Sequence, residues 1–493
     1  MNKTADSRPE LSLRGALELS PSPERIEVQI AERYGHFIGG KHHAGRDESL
    51  FDTINPATGE TLAQVAAADE AEVDTAVKSA RAAYDKVWSK MSGAERGKYL
   101  FRIARRLQEK GRAIAALETR DNGKPIRETR DVDIPLAAAH FFYYAGWADK
   151  LDYAVPGRSV KPLGVAAQVI PWNFPLLMAA WKIAPALATG NTVVLKPAET
   201  TPLSAMALVD ILQEVGLPPG VVNIVNGAGA TGAALVNHPG VDKVAFTGST
   251  GVGRLIMRQI AGTKKKATME LGGKGAQIVF ADAAIDQAVE GTINGIYFNQ
   301  GHVCCAGSRL LLEESIAEEF LERLRRRVST LRIGDPLDKN TDIGAINSAE
   351  QLATVERYIG IARSEGATVW QGAATATPSE GFWVPPTLIT NVNQTDTCVR
   401  EEIFGPVLSV LTFRTPAEAV KKANDSEYGL AAGVWSEKTS KLFEVGHRLN
   451  AGIIWANGYN LFDPASPFGG VRHSGFGREG GMAGLWPYLE VTA

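Results

Sequence analysis

The stretch KVAFTGSTGVGRLI, residues 243–256, reads as a short apolar strand, a Gly-rich turn and the first turns of a helix. Val244, Ala245 and Phe246 are apolar in succession, the pattern of a strand covered on both faces, as in parallel sheets. The same unit recurs on either side. Residues 164–170 and 192–195 are apolar strand candidates, and Pro202 opens a helix running to about Val215, closed by Gly216 and Pro218-Pro219. Further strand candidates stand at 221–225, 243–246 and 267–271, with short helices starting near Ala230 and Gly251. Such alternation implies a parallel α/β sheet, whose ligands bind beyond the strand C-terminal ends. A second alternating region begins near Gln277, with helices over 285–297 and 316–331 and strands near 408–413 and 452–455. The expected fold is two α/β domains joined near Leu271-Gly272-Gly273, where paired glycines leave the backbone free to hinge.

Upstream, residues 70–118 carry apolar side chains at helical spacing (Val73, Ala76, Val77, Ala80), ended by the turn cluster Asp121-Asn122-Gly123-Lys124-Pro125. A second helix over 135–147 is rich in Ala and aromatics and reads as a core face. Residues 1–34 mix charge, Ser and Pro; they read as an appended arm, a flexible tail more often than a docking element, compatible with a short helix near 23–33.

Composition narrows the class. The 493 residues are too many for one ordinary domain, and 52 Lys and Arg against 55 Asp and Glu give a net charge of −3. That balance argues against nucleic acid as the main partner. Three cysteines rule out a disulfide-stapled scaffold and a four-cysteine zinc site, and point to a reducing compartment, here taken as the cytoplasm. No apolar run is long enough to span a bilayer.

Several short motifs carry chemistry, each beside a plainer reading. Gly227–Gly232 matches G-x-G-x-x-G after a strand, but Asp242 comes too early for a ribose carboxylate. Gly248-Ser249-Thr250 joins strand to helix, so free N–H groups would face an anion; a simple tight turn is the alternative. Lys196 and Glu199 close another strand and could bracket a ribose, or form a surface ion pair. Cys304 and Cys305 lie in a Gly-flanked loop, where Cys304 is a thiolate nucleophile, a buried thiol or half of a vicinal disulfide. His302 is a poor base for Cys304, since side chains two apart in extended chain face opposite ways. Glu270 ends an apolar strand, where burial would raise its pKa towards that of a general base; otherwise it partners Lys274. Asn173, in Pro171-Trp172-Asn173-Phe174-Pro175, is a stiff donor suited to an oxyanion, or a turn residue.

These motifs occur in a fixed order with Glu401-Glu402-Ile403-Phe404-Gly405-Pro406-Val407 and Ser466-Pro467-Phe468-Gly469-Gly470. The chain thereby resembles the NAD(P)-dependent aldehyde dehydrogenase superfamily from about His36 to Val491. The resemblance implies two Rossmann-like parallel-sheet domains, one cofactor-binding and one catalytic, plus a reduced oligomerisation hairpin. Its boundaries would be an arm over 1–34, an NAD-binding domain over 35–150 and 162–271, a catalytic domain over 272–483, and a shortened oligomerisation element over 151–161 and 484–493.

It implies Cys304 as nucleophile, Glu270 as the base that activates water, and Asn173 with the Cys304 N–H as oxyanion donors. Trp172, Lys196, Glu199, Gly248, Ser249, Glu402 and Phe404 would contact the cofactor. Glu199 would repel a 2′-phosphate, favouring NAD, although some members with that Glu accept NADP too. The Gly227–Gly232 turn becomes a decoy. Trp181, Phe462 and Phe468 match the substrate tunnel and favour neutral, apolar aldehydes; no metal is implied.

Four departures stand out: Gly251 where Glu is frequent, Gly275-Ala276 after Lys274, a short stretch over 149–163, and an end at Ala493. The last two predict a homodimer or monomer rather than a tetramer. The activity expected is oxidation of an aldehyde to its acid with NAD. A CoA-acylating relative and a catalytically silent binding relative are the alternatives, and intact Glu270, Cys304 and Asn173 argue against them.

Overall fold

The computed structural model describes residues 21–45, 47–373 and 375–492. Two sheets dominate. The first has eight strands in the order Gly475–Phe476, Lys266–Glu270, Lys243–Thr247, Val165–Val169, Thr192–Lys196, Val222–Ile224, His36–Ile38 and Lys41–His43. The five strands from Lys266–Glu270 to Val222–Ile224 are parallel, and the outer three run against their neighbours. Every residue of Val165–Val169, Thr192–Lys196 and Lys243–Thr247 is buried, which is why these strands read as unbroken apolar runs.

The chain steps outward from Val165–Val169 through Thr192–Lys196 to Val222–Ile224, then returns to the opposite flank with Lys243–Thr247. Strand order therefore reverses between Val165–Val169 and Lys243–Thr247. Loops leave the two strands in opposite directions there and open a crevice at their C-terminal ends.

The second sheet has seven strands in the order Thr368–Gln371, Thr387–Thr390, Val407–Phe413, Arg309–Glu313, Ala276–Val279, Ala431–Trp435 and Ile453–Ala456, all parallel except Thr368–Gln371. A three-stranded sheet (Arg33–Tyr34, Thr61–Ala66, Leu50–Ile54) and a pair, Ser159–Pro162 with Leu489–Thr492, complete the strands among the described residues. No helix among the described residues is long and apolar enough to cross a membrane.

The helical region over 70–118 is two helices. Glu70–Lys86 starts at a capping box of Asp69 and Glu72; Gly93–Asn122 starts at a second box of Ser92 and Glu95. It ends where Gly123 turns left-handed at φ 91°, inside the turn cluster expected from sequence. A widened π-type turn, Thr129–Asp133, leads into Ile134–Trp147, which packs against Gly93–Asn122.

No helix forms over 23–33. The Glu24 carboxylate accepts from the Arg25 and Ile26 N–H groups at 2.8 and 3.0 Å, taking donors a helix would need. It also pairs with Arg112 at 2.6 Å, and the Glu24 N–H donates to Leu337 O at 2.8 Å. Residues 21–34 are thus docked, against the tail reading, and strap the helix Gly93–Asn122 to the body around the second sheet. Residues 1–20 lie outside the described residues.

Candidate active site

A cavity of about 280 Å³ lies between the two sheets. The first sheet supplies it with strand C-terminal ends. Pro171, Trp172 and Asn173 follow Val165–Val169; Gly248 and Ser249 follow Lys243–Thr247; Glu270 is the last residue of Lys266–Glu270. Helix Pro175–Ala188, buried at every position, adds Leu177, Met178 and Trp181. From the other side come Cys304 and Cys305, just before strand Arg309–Glu313, and Glu402 and Phe404, just before Val407–Phe413.

Cys304 is half-buried among the cavity walls, and all three cysteines are free thiols. A hydrogen bond with the Cys305 thiol, then burial, holds the Cys304 pKa well above that of an ordinary thiol. Its loop is tightly built: the Asn173 Nδ2 amide donates to His302 O at 2.7 Å, and Asn299 Nδ2 donates to Asn173 O at 2.8 Å. The second N–H of the Asn173 amide has no acceptor among the described residues and is available to an oxygen in the cavity that Cys304 also lines.

Glu270 is buried with neither carboxylate oxygen hydrogen-bonded. Burial, reinforced by the Glu479 carboxylate, pushes its pKa well above the usual carboxylate range. Lys274 also has no partner for Nζ, so the reading of Glu270 as its ion-pair partner fails. The glycines between them serve close approach: a Cβ on Gly272 would stand 2.1 Å from Glu402 Oε2, and one on Gly273 2.2 Å from Cys304 O. Glu402 accepts from the Gly273 N–H at 3.0 Å, and burial lifts its pKa to about 7.

The turn before helix Thr250–Ile260 suits an anion. Ser249 caps the helix by accepting from Val252 N at 3.3 Å, which leaves its hydroxyl proton to donate, and Thr247 Oγ1 is buried without a partner. Lys196 and Glu199 do not line the cavity. They stand 3.5 Å apart at the C-terminal end of the neighbouring strand, with the buried Lys196 Nζ donating to Pro197 O at 2.7 Å and to Gly227 O. The pair is buried at Lys196 and exposed at Glu199, and the Gly227–Gly232 turn packs directly against Lys196.

Trp172, His302 and Phe404 form an aromatic cluster, with ring centroids 4.8 Å apart for Trp172–His302 and 5.2 Å for Trp172–Phe404. The imidazole of His302 is buried without hydrogen bonds, and burial takes its pKa down to about 3, so it is no base for Cys304. Trp181 contacts Phe468 at 5.2 Å and Phe462 at 6.5 Å, giving the cavity an aromatic wall.

Two residues escaped the sequence reading. Glu479 lines the cavity and is ion-paired with the buried Lys182. The signal was available: Lys182 is the sole charged residue in the apolar helix Pro175–Ala188. Leu136, in the helix read as a core face, also lines the cavity, as do Val132 and Asp133 in the turn before it.

The family model described as the aldehyde dehydrogenase family matches residues 42–493. Human mitochondrial aldehyde dehydrogenase is 44% identical over 471 residues, covering 92% of this chain and 90% of that protein. An aldehyde dehydrogenase from Bacillus cereus, solved as its NAD+ complex, superposes with a TM-score of 0.90 at 42% identity, covering 94% of this chain and 96% of that one. An indole-3-acetaldehyde dehydrogenase from P. syringae, solved with NAD+ and IAA, gives a TM-score of 0.90 at 41% identity, covering 94% and 96%.

Proposed function

Since the chain belongs to the aldehyde dehydrogenase family and is an enzyme oxidising an aldehyde with NAD, we propose that Cys304 is its nucleophile, Asn173 its oxyanion donor and Glu270 its general base. The observation that carries this reading is that all three line one cavity, although 131 residues separate the outermost two (304 − 173).

The residues fit the cofactor. Thr247 Oγ1 is an orphaned buried hydroxyl beside Gly248, Ser249 and a helix N-terminus, and Glu402 and Phe404 face them across the cavity. Trp172, Gly248, Ser249, Glu402 and Phe404 would hold the dinucleotide, with Lys196 and Glu199 on its ribose. NAD, when bound, supplies the hydride acceptor. The Cys304 thiol gives up its proton to solvent water and its sulfur adds to the aldehyde carbon, forming a thiohemiacetal. The free Asn173 N–H and the Cys304 backbone N–H hold its oxygen as charge develops. Hydride departure leaves a thioester on Cys304. Glu270 then takes a proton from water, whose oxygen adds to the thioester carbonyl. The C–S bond breaks, releasing the carboxylic acid and the thiolate.

The substrates are neutral, apolar aldehydes. The lining carries Asp133, Glu270, Glu402 and Glu479 but no Lys, Arg or His, so a substrate carboxylate would find no cation there. The aromatic wall of Trp181, Phe462 and Phe468 favours an apolar body. The free thiols favour a cytoplasmic setting. A homodimer is favoured over a tetramer because the element read as shortened, over 151–161 and 484–493, carries as its sheet among the described residues only the two-stranded pair Ser159–Pro162 with Leu489–Thr492; a tetramer mass in solution would count against it.

The test follows cofactor reduction with aliphatic and aromatic aldehydes, using NAD and NADP separately, beside Cys304→Ala. Turnover with NAD that vanishes in the variant is expected. Undiminished turnover in Cys304→Ala overturns the assignment of the nucleophile.

A further inference from the structure

The turn that delivers Cys304 is made of residues that resist its shape. Asn299 (φ 49°, ψ 41°), Gln300 (φ 52°, ψ 27°) and Gly301 (φ 74°) are three successive left-handed residues, and the first two carry side chains. Asn visits this region more readily than most side chains, but Gln300 does not, so the run as a whole depends on its surroundings. Several contacts hold the turn. Asn299 Nδ2 donates to Asn173 O and, at 3.3 Å, to His302 O; Gln300 Nε2 donates to Ala345 O at 2.9 Å; a Cβ on Gly301 would stand 2.0 Å from Gly405 O.

The contact at the start of the run comes from a carboxylate. The Asn299 backbone N–H donates at 2.9 Å to Oε2 of Glu128. Glu128 is buried, does not line the catalytic cavity, and ends the short helix Ile126–Glu128. It is not there to neutralise its nearest cations. Lys124 is paired with Asp133 at 2.6 Å and lies over the Phe174 ring at 4.0 Å, while Arg127 is paired with Asp342 at 2.7 Å. What Glu128 offers is an acceptor at the first peptide of the left-handed run. Without it a buried N–H loses its partner at the point where the run begins.

We propose that Glu128 is a positioning residue of the reaction: by accepting from the Asn299 N–H it fixes the Asn299–Gly301 turn, and through it the placement of Cys304 against Asn173. This rests on Cys304 being the nucleophile. It acts on the acylation step, because a thiol displaced by about 1 Å from its attack geometry loses up to about a hundredfold in rate. Glu128 does not itself line the cavity, and the wall nearest its bond is Phe298, so the loss is expected mainly in acylation rather than in ground-state binding.

The experiment is rapid mixing of the full-length enzyme with NAD and an aldehyde it turns over, reading the first-turnover burst of NADH. Glu128→Leu is expected to slow the burst by about ten- to a hundredfold, with NAD affinity and the KM for aldehyde within about twofold of the parent. Glu128→Gln, whose amide oxygen still accepts, is expected to keep the burst within about threefold. A Leu variant with the parent burst rate overturns the proposal, as does a Gln variant as slow as Leu, or a loss of NAD affinity as large as the loss of burst. If Glu128→Leu does not fold, Glu128→Asp carries the test: its shorter reach should slow the burst likewise, and a parent rate overturns the idea. Cys304→Ala runs alongside; a burst surviving there refutes the nucleophile and leaves Glu128 aside.

Discussion

The two sheets reach the same cavity from opposite ends of their strands. The eight-stranded sheet meets it with C-terminal ends, at the place where strand order reverses, so that Asn173, Gly248, Ser249 and Glu270 are set by topology. The seven-stranded sheet meets it with N-terminal ends, and Cys304, Glu402 and Phe404 stand on loops just before Arg309–Glu313 and Val407–Phe413. Those loops depend on unusual backbone: Asn299, Gln300 and Phe404 are left-handed without being glycine. One half of the site is positioned by the sheet's winding and the other by contacts that hold strained turns. The first should tolerate change better than the second.

The largest effect separates the two halves chemically. Glu270→Gln should lower steady-state turnover by about 10³-fold, since water is no longer activated, while the NADH burst from Cys304 persists. Loss of both together would mean the halves do not act in separate steps. Next is backbone tolerance. Gly301→Ala puts a Cβ at φ 74° against a backbone carbonyl and should cost about 3 kcal/mol in thermal or denaturant unfolding. Gly248→Ala, whose Cβ would press on the Phe246 side chain rather than on backbone, should cost about 1 kcal/mol. Equal costs would erase the contrast.

The pH dependence follows. In the proposed roles Glu270 and Cys304 both react as conjugate bases, and both have raised pKa values, so the competent fraction of each should grow as pH rises. The burst rate, which reads Cys304, and the steady state, which reads Glu270, should each climb by about tenfold or more between about pH 6 and about pH 9. A rate that falls over that range contradicts the sign. The smallest effect concerns the strap joining the two halves. Glu24→Gln weakens its pairing with Arg112 and should lower stability by about 1 kcal/mol with activity unchanged.

Legibility from sequence divides along the same line. Unbroken apolar strands followed by Gly-rich turns announced the first sheet, and the rule that ligands sit beyond strand C-terminal ends pointed at Asn173, Ser249 and Glu270. No such rule covers residues that precede a strand, so Glu402 and Phe404 entered only through the ordered motifs of a family resemblance, and Cys304, open to three readings in its Gly-flanked loop, was narrowed to one by the same route. Lys182 and Glu479 meet across 297 residues, and pairing at that separation has no local pattern to betray it. The arm was read as a tail because its mix of charge, Ser and Pro marks mobile chain, whereas over the described residues 21–34 the Glu24 carboxylate takes its own neighbours' N–H groups and a distant arginine. Glu128 left no trace in sequence, since its partner is a backbone N–H that any residue possesses.

Helix Pro175–Ala188 begins beside Asn173, carries Trp181 and Lys182, and is buried at every position. It therefore has no face on which substitutions are silent, and a random library placed there would mostly yield unfolded protein. Val132, Leu136 and Phe462 also border the cavity but are only partly buried, so they can change size without collapsing a core. Redesign for bulkier or slimmer aldehydes belongs at those three positions, where the enzyme's substrate preference can drift while its catalytic frame stays put.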